Sequence, residues 1–189
     1  MSLTITFELD DNDIEHFVAM AREAQEALES SGIGADGITA GARDLFTKAR
    51  ATKLPDFIAS RLSKLETLVN MVEDSEWQLP DEDRDRVLKA MAYFANPEDL
   101  IPDRVPGVGF LDDAIMVELI VENLEEDISA FEEFCVYRTA EEKRRANQGL
   151  DTNVGREDWL ADKRSVLHGR MRKLRAERSQ SPYRRIRLF

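Results

Sequence analysis

Apolar residues recur along most of this chain every three or four positions, the spacing of one buried helix face. Asp10-Asp-Asn-Asp13 offers helix N-caps, and Ile14, Phe17, Val18, Ala21, Ala24 and Leu28 mark a first helix behind them. Residues 30–37 read as loop, and Ile38, Ala42, Leu45, Phe46 and Ala49 mark a second, shorter helix. Pro55 suits the first turn of a third, whose stripe is Phe57, Ile58, Leu62, Leu65, Leu68, Val69 and Val72. The acidic turn Asp81-Glu-Asp83 opens a fourth, carrying Val87, Leu88, Met91, Ala92 and Phe94. The longest pattern runs from Asp113 to Ala146 through Val117, Ile120, Val121, Leu124, Ile128, Phe131 and Cys135, and predicts one helix of about 50 Å. Residues 147–155 break it. A final helix, from Glu157 to Arg178, sets Trp159, Leu160, Val166, Leu167, Met171 and Leu174 among basic residues.

Two segments depart from this period. Leu3, Ile5, Phe7 and Leu9 alternate with polar residues, a strand pattern. The other extended candidate is Tyr183–Phe189, where Ile186 and Leu188 alternate with Arg185 and Arg187. A lone strand leaves its backbone groups unpaired, so the two ends are expected to pair, within one chain or between two. The fold class is therefore all-α: a helical bundle of about five to seven helices with a short N-terminal β-strand.

Composition narrows this further. The 189 residues suit one domain with an appended arm, and 42% hydrophobic with 34% charged is too apolar for disorder and too polar for a membrane bundle. The lone Cys135 excludes an internal disulfide framework. The opening residues lack the basic and apolar regions of a leader, and the most apolar run, residues 114–121, contains Glu118. A soluble, cytoplasmic protein is expected, without membrane association. Charge is uneven. Residues 163–189 carry ten Lys/Arg and one acid, a net +9 that leaves residues 1–162 at -21 of the chain's -12. The chain divides into an acidic helical domain, 1–155, and a basic C-terminal helix and tail, 156–189, with Arg170, Arg172, Lys173, Arg175, Arg178, Arg184, Arg185 and Arg187. Such a tail lies on an acidic body, its own or a neighbour's, or binds nucleic acid. The first reading leads, because the acidic body repels a polyanion and few aromatics are interleaved with the positive charge.

The most informative stretch is residues 93–113. It holds three of the six prolines, Pro97, Pro102 and Pro106, with Asn96, Gly107, Gly109 and four aspartates, Asp99, Asp103, Asp112 and Asp113. Asn96-Pro97 suits a helix start, Pro102 stops its continuation, and Pro106, Gly107 and Gly109 make a rigid turn. Asp112 and Asp113 are expected to cap the long helix. This order of residues resembles the bacterial YkvA-like domain of unknown function, over about residues 85–125. The resemblance implies no catalytic residues.

Two chemistries compete for the aspartates. In one, each caps a helix or turn amide. In the other, Asp99, Asp103, Asp112 and Asp113 converge on a hard cation such as Mg²⁺ or Ca²⁺, and the chain is a metal-dependent enzyme. The capping reading leads, and no cofactor is expected. His16, Cys135 and His168 lack zinc-ligand spacing. No nucleophile elbow, phosphate-binding loop or dinucleotide fingerprint is present. The reading that results is a non-enzymatic interaction or regulatory module with an unidentified protein partner, self-associating into a homo-oligomer. Nucleic-acid binding through the tail stands as a further alternative.

Overall fold

The computed structural model describes residues 8–95, 100–101, 103–105 and 108–179. Among them the chain forms seven α-helices and no strand: α1 (Asp11–Ser31), α2 (Ala35–Arg50), α3 (Asp56–Glu73), α4 (Asp81–Ala90), α5 (Leu111–Asn123), α6 (Glu125–Asn147) and α7 (Arg156–Ser179). A 3₁₀ turn, Ala92–Ala95, follows α4. An all-α bundle is therefore what forms. The expected strand over residues 3–9 falls mostly on residues 1–7, outside the described residues. Its described part, Glu8 and Leu9, is not in a strand, and the expected partner at 183–189 also lies outside.

Local chemistry fixes the helix ends. Asp10 accepts from the Asn12 and Asp13 amides, while Asp13 accepts from the Asp10 amide, a reciprocal capping box at the start of α1. Gly32 ends α1 with a positive φ of 71°. The centre of the bundle is α5 against α3. Leu65, Leu68, Val69 and Met71 of α3 are fully buried, as are Ala114, Met116, Val117 and Ile120 of α5. α5 is apolar on nearly all sides, as a central helix must be. Its Glu118 reaches the edge and pairs with Arg61 at 2.9 Å.

Two expectations need correction. The long helix over 113–146 is two helices, broken at Leu124 (φ −115°, ψ 17°). Apolar spacing runs through the break in register, so periodicity alone does not show it. The cause is local and electrostatic. Asn123 Nδ2 donates back to the Leu119 carbonyl at 2.8 Å. Glu125, Glu126 and Asp127 then form an acidic first turn, which favours a new helix N-terminus. The helix expected to continue through Phe94 gives way at Met91 to the tighter 3₁₀ turn. α2 approaches that turn so closely that a Cβ on Gly41 would run into the Phe94 carbonyl.

α6 and α7 form an antiparallel hairpin. Glu126 pairs with Arg178, Glu133 with Lys163, and Arg145 donates to the Val154 carbonyl. The connection between them, residues 148–155, turns through Gly149 and Gly155, both at positive φ.

Candidate functional site

The link from the 3₁₀ turn to α5 is built around a buried carboxylate. Asp112 is 1% exposed, and its Oδ2 accepts from the Ile101 amide at 3.0 Å and stands 3.5 Å from the Tyr93 hydroxyl. Its Oδ1 is buried without a hydrogen-bond partner among the described residues. Asp113, beside it in the first turn of α5, is also buried. The expected cap is thus corrected. The residue preceding α5 is Phe110, in the left-handed region (φ 65°), with no side-chain cap. Asp112 instead reaches back to the link and ties it to the start of the helix. Phe110 accepts the strain of its backbone because its ring is buried. Gly109 donates to the Val105 carbonyl at 2.8 Å, and a Cβ there would collide with the Asp103 carbonyl. Asp103 lies toward α2, 3.7 Å from Lys48 Nζ.

While these carboxylates turn inward, apolar side chains turn outward. Leu100, Val105 and Val108 are all exposed. They lie within nine residues of one another on the tight turn that Gly109 closes.

A second charged cluster joins α4, α6 and α7. Asp127 is fully buried between Arg86 of α4 and Arg175 of α7, and Arg175 also donates to Asp83 at 2.6 Å. Arg178 pairs with Glu126 at 2.7 Å, and Arg170 with Glu133. Lys163 and Arg170 together hold the Glu133 carboxyl below its ordinary range. The described part of the basic segment therefore lies on its own chain's acids. Arg172 donates to the His168 carbonyl at 3.3 Å, and Lys173 stands 3.9 Å from Glu177. Arg184, Arg185 and Arg187 lie outside the described residues.

A third cluster surrounds Glu76. Arg156 chiefly, then Arg138, hold its carboxyl below the ordinary range. Arg138 also bonds Asp74 at 2.8 Å. Next to it Cys135 is half-buried, and burial pushes its thiol up despite Arg138, the reverse of an activated nucleophile.

Among the described residues no group of three or more His, Cys, Asp or Glu side chains is placed to hold a metal ion. Of the four candidate ligands, Asp103, Asp112 and Asp113 are described, and Asp99 lies outside, as do Asn96, Pro97, Pro102, Pro106 and Gly107. Sequence reasoning missed Asp83 and Asp127 as buried charges. It treated the acids at 81–83 as a helix start and placed 125–127 inside one long helix, and nothing in local sequence names their arginine partners some 40 to 90 residues away. No described helix is long and apolar enough to cross a membrane.

No curated protein and no solved structure matches the chain. A family described as "Protein of unknown function (DUF1232)" matches residues 87–119, that is, the end of α4, the 3₁₀ turn, the link and most of α5. The segment around the buried Asp112 is therefore similar to a domain of unknown function.

Proposed function

We propose that this chain is a non-enzymatic, cytoplasmic interaction or regulatory module that self-associates through the link between the 3₁₀ turn and α5. One observation carries the reading: Asp112 and Asp113 are buried where the link enters α5, while Leu100, Val105 and Val108 of its described part are exposed. A catalytic acid needs access to a substrate, and Asp112 at 1% exposure has none. Three exposed side chains on a rigid turn suit docking instead. A docking surface of three such side chains, below about 400 Å², fits weak, concentration-dependent association. The net charge of -12 opposes that association at low ionic strength, so added salt strengthens it. Pairing of Arg170, Arg175 and Arg178 with acids of the same chain speaks against the nucleic-acid alternative.

Sedimentation velocity from low to high micromolar concentration tests this. The expected result is a mass average that rises with concentration and with salt, and that falls to the monomer in Leu100→Asp or Val108→Asp. A wild-type chain that stays monomeric throughout refutes self-association. Variants that associate as the wild type does refute the patch.

A further inference from the structure

His168 lies in the middle of α7, buried, with its ring edge-on to the fully buried Trp77 at 4.3 Å between centroids. Trp77 comes from the segment between α3 and α4 and packs in turn on Phe131 and Phe134 of α6. Neither His168 Nε2 nor Trp77 Nε1 has a hydrogen-bond partner among the described residues. The charges that face the imidazole are Arg172 and Arg164 on its own helix and Asp83 on α4. The segment between α3 and α4 contributes the neutral Trp77 and the Glu76 carbonyl, which accepts from Arg164 at 2.7 Å. Asp83 is already engaged by Arg175. A proton added to His168 therefore creates a buried cation beside two arginines, with Nε2 offered no acceptor.

We infer that α7 is an acid-released latch: protonation of His168 detaches α7 from the Trp77 surface while the α3–α5 centre stays folded.

The sign follows from linkage. Burial first, then Arg172, holds His168 down to about 4 from an ordinary 6.5. A detached α7 returns it to the ordinary value. Docking is thus fully favoured above pH 6.5 and weakens as pH falls toward 4. Between pH 7 and pH 5 the detached population rises roughly twentyfold. Release is confined to the hairpin because α7 packs chiefly against α6, whereas the centre is α3 against α5. The holds of α7 on the remainder are the Trp77 contact, the Arg156, Arg164, Arg175 and Arg178 bonds, and the buried Leu160, Leu167 and Met171. The glycines at 149 and 155 end the helices on either side of the connection.

Amide hydrogen exchange of the full chain at pH 7 and pH 5, corrected for intrinsic rates, tests the latch. The expected result is roughly twentyfold lower protection over 156–179 at pH 5, unchanged protection at Leu65, Leu68 and Ile120, and no pH effect over 156–179 in His168→Gln. Equal loss across α3, α5 and α7 overturns the inference, as does loss over α7 that persists in His168→Gln. A second measurement needs no change at His168. In Trp159→Phe, Trp77 is the one remaining tryptophan, and its emission is expected to shift red with a midpoint between pH 4 and pH 6.5. An emission maximum that stays constant down to pH 4 overturns the latch.

Discussion

Replacing Asp112 with alanine is expected to cost the fold about 2–3 kcal/mol, far more than losing an acid on the surface. The bond from the Ile101 amide, 3.0 Å long, is charge-assisted and buried, and losing such a bond costs about 1.5–3 kcal/mol with its donor left unpaired. The Tyr93 contact, at 3.5 Å, adds little. The carboxylate stands in the first turn of α5, where the helix dipole contributes about 0.3–1 kcal/mol. Relief of burying a charge offsets part of the loss. For a domain of this size, 2–3 kcal/mol lowers the melting temperature by about 5–10 °C. Thermal and urea unfolding followed by circular dichroism measure both quantities. Asp112→Asn keeps an acceptor for the Ile101 amide and is expected to lose about 1 kcal/mol. Asp44→Ala removes only an exposed partner of Lys48 and is expected to lose under about 0.5 kcal/mol. An Asp112→Ala loss below about 1 kcal/mol, or equal to that of Asp44→Ala, refutes the structural role. If millimolar Mg²⁺ or Ca²⁺ raises the wild-type melting temperature but not that of Asp112→Ala, the metal reading replaces it.

Three other positions offer independent checks by the same unfolding assays. Gly109→Ala is expected to lose about 2 kcal/mol or more, because the added Cβ meets the fixed Asp103 carbonyl. Gly169→Ala, on the open face of α7 with nothing within 4 Å of the added Cβ, is expected to gain about 0.5–1 kcal/mol. Asp127→Ala leaves Arg175 and Arg86 facing a buried gap and is expected to lose about 3–5 kcal/mol. A loss under about 1 kcal/mol there would show that the ion cluster is dispensable.

Much of the fold is legible in the sequence because the bundle is built from amphipathic faces. The stripes of α1, α2 and α3 predict most of the residues that end up buried, though Phe57 of the α3 stripe is exposed, and Asp10 announces its cap. The pattern fails where burial no longer alternates. α5 is buried on nearly all sides and α6 continues its spacing, so Leu124 reads as one more core position rather than a break. The link is legible as a rigid turn from its prolines and glycines. The direction of its carboxylates is not, because the Ile101 amide that Asp112 accepts from belongs to the turn, not to the helix the aspartate begins. Nothing in the sequence marks Phe110 as a strained position. The charged cluster at Asp83, Asp127 and Arg175 is the least legible, since its members meet only once three helices have packed.

The break at Leu124 also acts as a mechanical insulator. Within one continuous helix, an inserted residue turns everything beyond it by about 100°. A rigid rod from Leu111 to Asn147 would pass such a rotation straight from the outer hairpin into the centre of the bundle. The single non-helical residue at 124 absorbs it. Length changes at the far end of the hairpin then need not disturb the faces that α5 presents to α3. The segment resembling a known domain, 87–119, ends before this point. The hairpin beyond it is free to diverge in length and charge while the centre keeps its register.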